Sequence, residues 1–212
     1  MRALRRDRIE TEEDFPRDVA EVQRLLGPTQ PGQRITAMPG AGTQVPIWLL
    51  GSSLFSAQLA AQMGLPYAFA SHFAPRMLLP ALELYRRLFR PSATLAKPYV
   101  VVGVPVIAAP TDEEAQYLAS STYQRILGIL TGRRGRLPPP VADFWATVGA
   151  QERAGIADFL AAAVVGGPQT MQAGLRALQQ ATQADEFILV SDVFDPDLRL
   201  RSLEITAAAH AA

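Results

Sequence analysis

Apolar and polar positions along this chain follow two rhythms. Phe15, Val19, Val22, Leu25 and Leu26 recur at helical spacing. They predict a helix over 14–26, with Asp14 placed to cap it and Pro16 suited to its first turn. Gly27-Pro28 ends that helix, and a Gly/Pro-rich connector runs from Gln30 to Gln44. Short apolar runs then take over. Ile47–Leu50 predicts a buried strand, Leu54–Met63 a helix stopped by Gly64-Leu65-Pro66, and Tyr67–Ser71 a second strand. Met77–Phe89 is amphipathic, with Leu78, Leu82, Tyr85 and Leu88 or Phe89 on one side. Tyr99–Ala109 is nearly all apolar, the mark of a strand buried on both faces of a parallel sheet. Pro105 inside it calls for a bulge or an early end to pairing. Pro110-Thr111-Asp112-Glu113-Glu114 opens a helix running to Leu130, with acids in its first turn. Helical material covers 151–165, Gly167-Pro168 opens another helix reaching Ala184, and Glu186–Ser191 is the last strand.

Four strands, each followed by helical or terminal material, predict βα units in one parallel α/β sheet within a single domain spanning 1–212. Its outer strands, Ile47–Leu50 and Phe187–Val190, are very apolar for edges. They have the composition of interior strands. Segment 131–150, with Gly132-Arg133-Arg134-Gly135-Arg136 and three prolines at 138–140, reads as a mobile insertion loop.

Composition narrows the classes. The 212 residues are 49% hydrophobic and 19% charged, a globular balance, and 20 Lys+Arg offset 20 Asp+Glu. A neutral chain gives no reason to expect nucleic-acid binding. The absence of cysteine excludes disulfides and thiolate metal sites. No apolar run suffices to span a bilayer. The N-terminal arginines, Arg2 to Arg8, lead into Glu10, Glu12, Glu13 and Asp14, which fits neither a secretory signal nor an acid-poor transit peptide. The expected location is cytoplasmic.

Candidate chemistry gathers where strands meet helices. Val45–Leu50 delivers Gly51, Ser52 and Ser53 to a helix N-terminus, where unpaired N–H groups and hydroxyls suit a phosphate or simply cap the helix. Pro39-Gly40-Ala41-Gly42-Thr43 precedes a strand, the wrong context for a dinucleotide loop. His72 and Phe73 follow the second strand, His72 either lining a pocket or hydrogen-bonded at the strand end, and Asp192 follows the last, either facing a pocket or as a solvated loop acid. Gly166-Gly167-Pro168 offers either a second anion-binding helix start or a plain one. Arg133, Arg134 and Arg136 are either a lid over a phosphate or a solvated loop. No residue marks itself as catalytic, and no metal-ligand cluster is visible.

Taken together, Ile47–Ser53, Gly64–Phe73, Pro110–Ala115 and Val165–Pro168 resemble, in order and spacing, the C-terminal half of a bacterial-luciferase-like flavin-dependent monooxygenase. The resemblance implies four strands, the fifth to eighth, of a (β/α)8 TIM barrel. It implies reduced FMN as cofactor, or a deazaflavin as in a sister branch, with its phosphate on Gly51, Ser52 and Ser53. His72 and Phe73 would then line the substrate side. The implied activity is oxidation of a small organic substrate with O2, with a flavin reductase supplying reduced flavin. The chain resembles only half of such a barrel. The alternative is therefore a non-catalytic, truncated half-barrel that acts with an N-terminal half or as a homodimer. A complete small doubly wound sheet binding a phosphorylated ligand is a third expectation.

Overall fold

The computed structural model describes residues 14–211; the basic-to-acidic segment from Arg2 to Glu13 lies outside them. The chain divides into two compact units, the first ending at Trp48 and the second beginning at Leu49. The first contains helix α1 (Phe15–Leu26), which buries Val19. Asp14 does not cap it. Its carboxylate pairs with Arg17 instead, and its own backbone is already helical where a capping residue is extended. The glycine-rich stretch after the helix is a turn that doubles back: Gly42 N–H donates to the Gly27 carbonyl at 2.9 Å, and Gln44 N–H to the Leu26 carbonyl at 3.0 Å.

The second unit is built on β1 (Leu49–Gly51), β2 (Tyr67–Phe69), β3 (Val100–Ala108), β4 (Val164–Gly166) and β5 (Glu186–Val190), all paired in parallel. Five strands stand where the sequence predicts four. β4 is the addition: helix α5 stops at Phe159, and Val164–Gly166 pairs with Val106–Ala108 of β3. Three residues are too few to show an alternation, and Leu160-Ala161-Ala162-Ala163 before them reads as more helix. β1 and β2 are also shorter than predicted, three residues each.

β3 is the spine. Its residues 100–102 pair with β2 and 101–105 with β5, so these two strands occupy opposite edges. Pro105 is the last residue matched to β5, and pairing with β4 begins at Val106. The proline thus marks a change of partner rather than an end of the strand. Helices α2 (Leu54–Met63), α3 (Leu78–Leu88), α4 (Asp112–Leu130), α5 (Ala150–Phe159), α6 (Pro168–Thr182) and α7 (Pro196–Ala211) complete the unit.

Register divides the sheet into two faces. Tyr67, Phe69, Val100 and Val102 share one, which packs on helices. The Tyr67 hydroxyl lies 3.0 Å from Ser56 Oγ of α2, and its ring centroid is 5.3 Å from that of Tyr85 of α3. Leu50, Ala68, Val101, Gly103 and Ile188 share the other. There the middle is closed, but Leu50 of β1 and Ile188 of β5 stand 68% and 56% exposed. Among the described residues, each of those two strands has one strand partner. Within 131–150, Phe144 and Val148 join the α4–α5 core while Arg133, Arg134 and Arg136 are exposed.

Candidate active site

Parallel strands release the chain at their carboxyl ends, so residues just after each strand converge. After β1, Ser53 caps α2. Its hydroxyl accepts the Ser56 N–H at 3.3 Å, while the Ser56 hydroxyl donates to the Ser53 carbonyl at 2.8 Å. The Ser53 side chain is thereby engaged in the cap. The Ser52 hydroxyl and the N–H groups of Leu54 and Phe55 have no partner among the described residues. Gly51 has a packing reason: a Cβ there would lie 2.2 Å from Ser56 Oγ and 2.4 Å from Ser56 Cβ. The phosphate-suited groups at this helix start are therefore Ser52 and the first two amides of α2.

After β2, the Ser71 hydroxyl donates to the Gly103 carbonyl, fastening this exit to β3. His72 and Phe73 follow, with ring centroids 4.2 Å apart. His72 is half-buried and Phe73 exposed. The imidazole lies over Gly103, on the same face as Leu50 and Ile188. Burial holds its pKa below the usual histidine value, with Asp192 raising it and Arg125 lowering it by smaller amounts.

After β5, Asp192 forms an ion pair with Arg125 of α4, and its carbonyl accepts the Thr122 hydroxyl at 3.2 Å. Asp192 is thus no solvated loop acid. Helix α4 reaches across to the β5 exit and brings Arg125 close enough to act on His72. Sequence reasoning missed Arg125 because its partner lies 67 residues away and nothing local marks it.

After β4, the start of α6 carries its own anion. Asp112 of α4 accepts the Gly167 N–H with one oxygen and the Thr170 hydroxyl, at 2.9 Å, with the other. Those bonds hold its carboxyl below the usual aspartate pKa. Gly166 makes room, since a Cβ there would lie 2.5 Å from Thr170 Cγ2 and 2.7 Å from Asp112 Oδ1. This helix start is occupied from within and is not a second phosphate site.

A βα-repeat protein with polar groups gathered at the carboxyl ends of its strands is the class that fold and site define. The family profile of the luciferase-like monooxygenases matches residues 2–185, and the chain belongs to that family. It is 47% identical over 207 residues to the uncharacterized protein YvbT of Bacillus subtilis (strain 168), covering 97% of this chain and 61% of the relative. It is 43% identical over 208 residues to a luciferase-like monooxygenase of Escherichia coli (strain K12), again covering 97% and 61%. The crystal structure of apo-MsnO8 superposes with a TM-score of 0.79 at 31% identity, covering 99% of this chain and 63% of that one. Long-chain alkane monooxygenase LadA shares the fold at 15% identity, with a TM-score of 0.59. The chain therefore spans about three fifths of the length of these relatives. Among the described residues, no helix is long and apolar enough to cross a membrane.

Proposed function

We propose that this chain supplies the phosphate-anchoring part of the site of a flavin-dependent monooxygenase that oxidises a small organic substrate with reduced FMN and O2. The observation that carries the reading is the start of α2, in a chain of this family. There the Ser52 hydroxyl and the Leu54 and Phe55 amides are unpartnered and lie together at the positive end of a helix. These groups fit a phosphate monoester. His72 and Phe73 then border the substrate side of the flavin, on the face shared with Gly103, Leu50 and Ile188. When bound, the flavin supplies the electrons that activate O2, and the chain's own residues hold the phosphate and border the substrate.

Magnitudes limit what this chain does alone. Helix-end and hydroxyl contacts to one phosphate contribute about 1–3 kcal/mol, whereas micromolar affinity takes roughly 8 kcal/mol. A second reading is favoured by the exposed Leu50 and Ile188 on singly paired strands. In that reading the chain completes its barrel with further βα units, from a complementary half or a second copy, and binds flavin weakly without them. The two readings part in a turnover assay with reduced FMN and a long-chain aldehyde. Oxidation by this chain alone would show that it supplies the rest of the site as well and would count against the second reading; no oxidation alone, with activity on adding a complementary half, supports the second.

A further inference from the structure

The ring of His72 occupies the space a side chain at residue 103 would take. A Cβ on Gly103 would meet Nδ1 at 3.1 Å and Cε1 at 3.3 Å. Nδ1 is enclosed and has no hydrogen-bond partner among the described residues, whereas Nε2 is not among their enclosed, unpartnered atoms. An imidazolium carries a proton on both nitrogens. Its Nδ1–H would be a buried donor without an acceptor, which is unfavourable. The same holds for the neutral tautomer protonated at Nδ1. With the proton on Nε2, Nδ1 is left as a buried acceptor without a donor, a smaller penalty than an orphaned buried N–H, so the seat favours that neutral form.

Charge at the site works with this geometry. Among the described residues, the charged groups acting on His72 are Asp192, from the β5 exit, and Arg125, from α4. A lone carboxylate beside the ring would draw a second proton onto it, and a lone guanidinium would repel one. Paired with each other, they act on the ring in opposite senses, each by less than burial does. The Thr122 hydroxyl holds the Asp192 backbone in place at 3.2 Å.

We propose that His72, seated on Gly103, presents an uncharged Nε2–H as a hydrogen-bond donor to an oxygen acceptor of the ligand, and that Arg125 is the positioning residue that keeps it so by occupying Asp192. In this role His72 recognises a carbonyl or similar oxygen and does not abstract a proton. The assignment deepens the reading of His72 as a substrate-side residue. Its test needs no flavin, so it stands or fails separately from the cofactor.

Long-range 1H–15N correlation spectra of the whole chain read the tautomer directly, and the chain's two histidines are resolved by a His210→Gln variant. The expected result is an Nε2-protonated, neutral His72 at pH 7, titrating below the ordinary histidine value. Arg125→Gln should raise its proton affinity about threefold or more, Asp192→Asn should lower it by a similar factor, and Arg125→Lys should leave it near wild type. A purely structural role for the pair would move both variants the same way. A proton on Nδ1, an imidazolium at pH 7, or shifts of one sign in both variants would overturn the proposal. The wild-type tautomer alone decides the first part if Asp192→Asn does not fold.

Discussion

Asp112 and Gly51 each carry a role that the local sequence disguises. Asp112 sits in the first turn of α4, where an acid looks like a partner for its own helix dipole. It serves another helix instead, bonding the start of α6. Because its pKa is depressed in the fold, the stabilisation is present above the unfolded value near about 4 and lost as pH falls through the folded value. Asp112→Asn should therefore lower the urea midpoint at pH 7, and the gap to wild type should close below about pH 4. A gap that persists unchanged in acid would contradict this. Gly51 looks like a glycine that admits a ligand, yet the nearest atoms belong to Ser56. Gly51→Ala should cost about 1–3 kcal/mol through that collision, seen in equilibrium unfolding without flavin. A neutral substitution would show that Ser56 moves aside freely.

At the scale of elements, a buried hydroxyl ties α2 to the sheet beside the packing of its alanines and Leu59. Tyr67 OH meets Ser56 Oγ at 3.0 Å and the Ser53 carbonyl at 3.3 Å, and burial raises its pKa. Tyr67→Phe should cost about 1 kcal/mol, measured by denaturant titration with an unchanged slope. The order of elements and the long apolar β3 were legible because their signals are local: periodicity, Gly-Pro stops and the acidic helix start at Thr111. β4 was not, because a three-residue strand after Leu160-Ala161-Ala162-Ala163 has no period of its own. Pro105 was legible as a disturbance, but that it separates two partners depends on β4. That Gly51, Ser52 and Ser53 lead into a helix is legible in their order before Leu54. Which hydroxyl is spent on the cap depended on Ser56 and on Tyr67, 14 residues beyond Ser53. The Arg125–Asp192 pair and the Asp112–Gly167 bond join distant segments, so no window of sequence contains them.

At the scale of the whole molecule, family membership and three-fifths coverage of the relatives meet the open face of the sheet. Leu50 of β1 and Ile188 of β5 are apolar and exposed, and this is the observation behind the proposal that further βα units complete the sheet. Flavin binding by this chain should then come mainly through the phosphate. The most direct test follows backbone amide signals in 15N-labelled chain during titration with FMN and, separately, with riboflavin. FMN should shift Ser52, Leu54 and Phe55 with a dissociation constant weaker than about 1 μM, and riboflavin should leave those amides unmoved. Binding of riboflavin as tight as that of FMN, or FMN shifts that spare the start of α2, would contradict the account.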